Sequence, residues 1–223
     1  MTFEDAERFF DAIAGRYDRT YGPSASDSRE RMARVIRELP APPARVLDLG
    51  VGTGRELAAL LDAGYEPTGV DLSNAMLEKC ARRARPVPLV RADFWRAPLP
   101  FGDDSFHASL ALHGTLAHPP DAEAVARLGR ELGRVVRAGG TFIAEVPSPA
   151  WLDRLETQPA EGDRRIRRTG LRTCVVEDLA AGASIEARLL DEAEWRAALG
   201  PPWQPARIDA IDAVEWLVVA RRA

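Results

Sequence analysis

The chain has 223 residues, 46% hydrophobic and 29% charged, enough for one large domain with a full core and outside the composition of disordered, collagen-like or mucin-like chains. Thirty Lys and Arg against 34 Asp and Glu leave a net charge of -4, so no global positive field draws the protein to a phosphate backbone, and no nucleic acid is expected as a partner. No apolar run reaches the roughly 18 residues that span a bilayer, so no membrane partner is expected either.

Met1 to Asp11 is acidic and carries no basic stretch before an apolar run, so a cytoplasmic protein is expected. Cys80 and Cys174 form no CxxC pair, which points away from disulfides and zinc. Lys79 is the only lysine among the 30 basic residues, a skew of codon usage that makes no single arginine functional by itself.

Phe9, Ile13, Tyr17 and Tyr21 recur every four residues, so residues 3 to 18 read as an amphipathic helix with an aromatic face, ended by Gly22-Pro23. Ser26 or Asp27 can cap a second helix through Leu39. Strands and helices then alternate: a strand at Val46 to Leu49, a helix from Gly54 to Ala63, a strand ending at Val70, a helix from Ser73 to Arg83 and a strand at Val87 to Arg91. A second series follows, with a strand at Phe106 to Leu112, a helix from Asp121 to about Val136 and a strand at Thr141 to Val146. Such alternation implies crossovers and a parallel sheet. Next, Arg172 to Glu177 and Ile185 to Leu190 alternate like an antiparallel hairpin, followed by a helix from Asp191 to Leu199. Arg207 to Ile211 and Val214 to Ala220 are too close for a helical crossover, so the last strand runs antiparallel to the rest.

The stretch DLGVGTG from Asp48 to Gly54 joins a strand to a helix, and its alternate glycines allow a sharp turn and close approach of a ligand. The dinucleotide pattern would need glycine where Arg55 stands, which disfavours a nicotinamide-dependent oxidoreductase. Asp71, 17 residues after Gly54 at the end of the second strand, can accept both hydroxyls of a ribose, or cap the next helix. Asp93 and Phe94, after the third strand, suit an exocyclic amine and a purine face, with capping the plain alternative for Asp93.

These stretches, VLDLGVGTGRELAALL, GYEPTGVDLSNAMLEKC, VRADFWRAPLPFGDDSF and LGRVVRAGGTFIAE, resemble in the same order a class I S-adenosylmethionine-dependent methyltransferase over Arg45 to Glu145. Ala14 to Asp18 and the closing hairpin add weaker support. The resemblance implies a Rossmann-like α/β fold with a seven-stranded sheet of order 3-2-1-4-5-7-6, strand seven antiparallel. It also implies a cofactor-binding core at 45-146, an N-terminal lid over residues 1 to 22 and an inserted hairpin at about 165-190 near the acceptor, all in one domain. Carried over by position, Asp48, Gly50, Gly52 and Gly54 would surround the methionine portion of S-adenosylmethionine or its product S-adenosylhomocysteine. Asp71 would take the ribose, Leu72 and Met76 the adenine face, Asp93 and Phe94 the adenine edge, and Tyr17 would close over the carboxylate. The chain departs from the family at His107, where aspartate commonly opens the fourth strand, and at Ala138, where proline commonly precedes the paired glycines.

The loop after strand four, Leu112 to Asp121, is where such enzymes bring the acceptor. His118-Pro119-Pro120-Asp121 lacks the amide and aromatic of nucleic-acid amino-methyltransferases, so the expected acceptor is a small molecule methylated on O, N or C. His113 or His118 can take a proton from an acceptor hydroxyl, or merely line the loop. No metal site is expected from His107, His113 and His118, because no carboxylate lies between Phe106 and Pro120. A protein that binds the cofactor without turnover is the rival reading. The five arginines from Arg164 to Arg172 read as a solvated edge.

Overall fold

Alternation of buried side chains along the central strands sets the architecture. In β1 (Arg45–Leu49), Leu47 and Leu49 enter one hydrophobic cluster and Val46 the opposite one, so both faces must be covered. The computed structural model, which describes residues 3–22, 25–83, 86–96, 98–121, 123–155 and 162–223, covers them with helices. One face carries α6 (Ala124–Val135) and α8 (Glu192–Ala198); the other carries α3 (Ala25–Glu38) and α4 (Leu57–Asp62), with Cys80 of α5 (Asn74–Arg83). Each buried Leu, Val or Phe contributes about 1.5 to 3 kcal/mol relative to exposure.

The remaining strands of this sheet are β2 (Glu66–Asp71), β3 (Leu89–Arg91), β4 (Phe106–Ala111), β5 (Val136–Pro147), β9 (Arg207–Ala210) and β10 (Glu215–Arg221). Their order is β3-β2-β1-β4-β5-β10-β9. Counted within the sheet this is 3-2-1-4-5-7-6, and β10 runs antiparallel to both β5 and β9. The order reverses between β1 and β4, the place where ligands of open α/β sheets gather beyond the carboxyl ends of the strands. Because β10 is reversed, its first residue, Glu215, lies opposite Pro147 at that same edge.

Several elements differ from the sequence expectation, among them β5, which starts at Val136 and runs through Gly139-Gly140 rather than beginning at Thr141. The helix expected over 3 to 18 breaks around Gly15 into α1 (Phe3–Ile13) and α2 (Tyr17–Tyr21), as suits a residue with no side chain to hold a helical turn. The helix after the glycine turn begins at Leu57 rather than Gly54, since Gly54 has φ +74, outside the helical region. The expected hairpin, β7 (Thr173–Asp178) and β8 (Ala183–Arg188), is joined by a third strand, β6 (Arg164–Arg168). That strand is the arginine run read as a solvated edge; with Ile166 its only apolar residue, flanked by a pair of arginines on each side, it shows no hydrophobic alternation. Pro23 and Glu161, and the side chains of Ser26 and Asp27, lie outside the described residues.

The small sheet and α1 share a third cluster, in which Phe9 and Ile13 meet Cys174, Val176, Ile185 and Ala187, with Leu72 and Met76 below. The aromatic face of the N-terminal helix therefore has its partner in the inserted sheet.

A Cβ at Gly54 would stand 2.6 Å from Cys80 Sγ, in addition to the φ penalty. Gly54→Ala is expected to destabilise the fold by about 1 to 3 kcal/mol in urea denaturation. Combined with Cys80→Ala it should cost less than the sum of the two single changes; strict additivity would show that the contact does not set the cost.

Candidate active site

The turn after β1 approaches β2 through one carboxylate. Asp71 Oδ2 accepts the Gly52 N–H at 2.8 Å and Oδ1 accepts the Ser73 N–H at 2.9 Å, so a single side chain closes the glycine turn and opens α5. Asp71 is 7% exposed, and its burial pushes the carboxyl up to about 6 against the pull of those backbone donors.

Above this turn lies a cavity of about 500 Å³. Gly50, Gly52, Asp71, Leu72, Met76, Asp93, Phe94, Tyr17, His113 and His118 all line it. Asp48 and Gly54 do not. Asp48 faces a small side chamber shared with Tyr17, Gly52, Arg55, Glu56 and His113, and Gly54 instead packs against Cys80. Burial, with Glu56 and Asp71 nearby, raises the Asp48 carboxyl well above the ordinary range. A Cβ at Gly52 would meet only the Gly50 carbonyl, at 3.8 Å, so its empty side opens onto space rather than protein.

Asp93 accepts the Trp95 N–H at 2.9 Å and lies 3.4 Å from Arg96; burial raises its carboxyl against both contacts. It thus caps the local turn while lining the cavity. Phe94 stacks obliquely on Trp95, ring centres 5.2 Å apart.

The N-terminal helices are bolted to the same loops. Asp11 of α1 accepts from Ser73 Oγ and from the Ala75 N–H, serving as a cap for α5 from another part of the chain. Asp18 of α2 accepts from Thr53 Oγ1 at 2.6 Å and pairs with Arg83; burial raises its carboxyl, but these bonds hold it below the ordinary range. Arg16 pairs with buried Asp178 of β7, which also accepts from the Tyr21 hydroxyl at 3.0 Å. Tyr17 stacks on Tyr21, with Arg55 5.6 Å from its ring centre, and burial pushes its hydroxyl up to about 12.

The loop histidines occupy different surroundings. His113, at φ +53, places Nε2 2.5 Å from Glu56 Oε1. Burial raises Glu56, but that bond, the His113 charge and Arg55 bring it below the ordinary range. The expectation of imidazoles free of any carboxylate is therefore corrected for His113: its partner comes from the residue before α4, 57 positions away, invisible in the local loop sequence. His118 Nδ1 lies 2.8 Å from the Glu186 carbonyl of β8, and its ring meets Phe10 edge-on at 5.9 Å.

Further residues line the cavity, and of these Arg31 carried no sequence signal. Arg31 of α3 bonds Glu215 and lies 3.5 Å from buried Glu145, closing the β5–β10 end. Trp151 of α7 (Ala150–Leu155) and Ile166, Val176 and Ile185 of the small sheet supply an apolar wall. Among the described residues no helix is long and apolar enough to cross a membrane, and no cluster of His, Cys, Asp and Glu could hold a metal ion.

Residues 46–140 match the family described as a methyltransferase domain. A demethylmenaquinone methyltransferase of Beutenbergia cavernae is 38% identical over 151 residues, which cover 66% of this chain and 60% of that protein. The chain thus spans three-fifths of that relative's length. The CcbJ methyltransferase of Streptomyces caelestis superposes with a TM-score of 0.73 at 22% identity, covering 98% of this chain and 99% of that one. The sugar N-methyltransferase KedS8 of Streptoalloteichus sp. ATCC 53650 gives 0.69 at 24% identity, covering 93% and 92%. The fold is that of class I methyltransferases.

Asp71 gives the unliganded protein a testable pH signature. Its folded value near 6 lies above the unfolded value near 3.9, so the folded state binds the extra proton between them, and this group adds stability as pH falls through 6. From pH 7 to 5 the parent should gain about 1 kcal/mol relative to Asp71→Asn in urea denaturation. Parallel pH curves for the two proteins would contradict the burial argument.

Proposed function

We propose that this chain, built on the class I methyltransferase sheet, binds S-adenosylmethionine and transfers its methyl group to a small-molecule acceptor. The observation that carries this reading is the position of Asp71 and the glycine turn at one end of a cavity whose other end is apolar and covered by the N-terminal helices and the small sheet. When bound, the sulfonium group supplies an electrophilic methyl.

The residues present fit that group. A volume of about 500 Å³ lies within the roughly 300 to 1,000 Å³ usual for small-molecule sites. Asp71 has lone pairs left after its two backbone bonds with which to accept ribose hydroxyls. Leu72 and Met76 offer an apolar face for adenine, Phe94 its stack, and Asp93 an acceptor for its amine. Gly50, Gly52 and Tyr17 border the methionine end, beside the side chamber that holds Asp48 and Glu56. Gly54 acts there through its packing on Cys80.

The acceptor half is lined by Phe9, Phe10, Trp151, Ile166, Val176 and Ile185, which suits an apolar body rather than a nucleic-acid strand. The quinone-type substrate in the name of the Beutenbergia relative is compatible with that wall. Helices α1 and α2 act as the lid, since they cover the cavity and bond both the glycine turn, through Asp18, and the start of α5, through Asp11.

Calorimetry tests the cofactor assignment. The protein should bind S-adenosylhomocysteine but not NAD, and Asp71→Ala should weaken binding by roughly ten-fold to a hundred-fold, the loss of charge-assisted bonds worth about 1.5 to 3 kcal/mol. Unchanged affinity in that variant would refute the ribose role. Hydrogen exchange tests the lid: S-adenosylhomocysteine should slow exchange in residues 3–22 more than in the central sheet, whereas equal protection with and without ligand would mark a permanently docked structural segment.

A further inference from the structure

We propose that His118 is the general base for a hydroxyl-bearing apolar acceptor, and that the inserted sheet fixes the tautomer this requires through the backbone carbonyl of Glu186. The inference rests on the methyltransferase reading and deepens it by choosing the base and the acceptor chemistry.

A carbonyl oxygen only accepts hydrogen bonds, so the 2.8 Å contact requires the proton on His118 Nδ1. In the neutral ring the lone pair then sits on Nε2, which has no hydrogen-bond partner among the described residues. Burial holds the ring below the ordinary imidazole range, against the upward pull of the Glu186 carbonyl, so it is neutral near pH 7. Phe10 of α1 meets the ring edge-on, which braces it between lid and insert. His118 is thus presented with an acceptor atom in the cavity only when both coverings are in place.

The other candidates are engaged elsewhere. His113 is bonded through Nε2 to Glu56 beside the glycine turn. Asp71 holds the Gly52 and Ser73 N–H groups, Asp93 holds Trp95 N–H beside Arg96, and Glu215 is paired with Arg31. The Tyr17 hydroxyl, pushed up to about 12, stays protonated.

The wall near His118, formed by Phe10, Ala117, Ile185 and Ala187, offers no carboxylate to an entering ammonium, which favours a neutral hydroxyl on an apolar or aromatic body. In the step, the acceptor hydroxyl gives its proton to Nε2 and its oxygen bonds the methyl carbon. The methyl–sulfur electron pair remains on sulfur, and the positive charge passes from the sulfonium to the imidazolium.

Para-nitrophenol is a suitable probe, because its absorbance reports its own ionisation. It is titrated into the parent and into His118→Asn, each with and without S-adenosylhomocysteine. Asn keeps an N–H at the Nδ1 position for Glu186 and removes the base. The parent should bind the phenol un-ionised, as an O–H donor to His118 Nε2, with the nitrogen-15 signal of that nitrogen moving from the free to the hydrogen-bonded position. His118→Asn should bind it roughly ten-fold or more weakly, while retaining S-adenosylhomocysteine affinity within a few-fold. Equal phenol affinity in both proteins, or an Nε2 signal that the phenol does not move, would overturn the proposal. Failure of the parent to bind S-adenosylhomocysteine would instead overturn the methyltransferase reading, and the phenol arm without it would still decide the role of His118.

Discussion

Much of the site depends on a carboxylate held where water is scarce. Asp71 bridges the N–H groups of Gly52 and Ser73, so the turn after β1 and the turn after β2 have a common acceptor, and the two strand ends cannot separate without leaving the Gly52 donor unpaired. The same two loops are the ones the N-terminal helices grip, through Asp18 on Thr53 and Asp11 on Ser73. The position of the N-terminal helices and the glycine-turn geometry are therefore coupled across neighbouring residues, and a ligand bonded to Asp71 would report directly to those helices.

The cavity is made from parts that differ in chemistry. Its floor comes from the carboxyl ends of parallel strands, where loops are free to carry polar groups, and its roof comes from α1, α2 and the small sheet, which meet through Phe9, Ile13, Val176 and Ile185. Buried Asp178 ties the roof together by taking both Arg16 and the Tyr21 hydroxyl. The reversed β10 brings Glu215 to the same rim, where Arg31 neutralises it. A charged end and an apolar end follow from this division.

The central sheet was legible in the sequence because each βα turn carries its own signal: glycines at 50, 52 and 54, and an aspartate at the end of β2. The antiparallel direction of β10 was legible for a different reason, the short link from β9 that forbids a crossover. The break at Gly15 was missed because the four-residue aromatic spacing continues across it, Tyr17 and Tyr21 falling on the next helix with the same face. Strand β6 was missed because its partner positions are arginines, one of which, Arg164, covers the Tyr21 ring at 5.8 Å. The Glu56–His113 pair and the Asp11 and Asp18 latches join residues 35 to 64 positions apart, and no local pattern encodes such contacts.

A crystal structure of the chain with S-adenosylhomocysteine tests the account most directly. The ribose hydroxyls should lie within hydrogen-bond distance of the Asp71 carboxylate, the adenine should rest between Leu72, Met76 and Phe94, and the sulfur should face the half of the cavity bounded by His118 and Phe10. A nucleoside placed elsewhere, or one whose ribose avoids Asp71 while the Gly52 and Ser73 bonds persist, would contradict it.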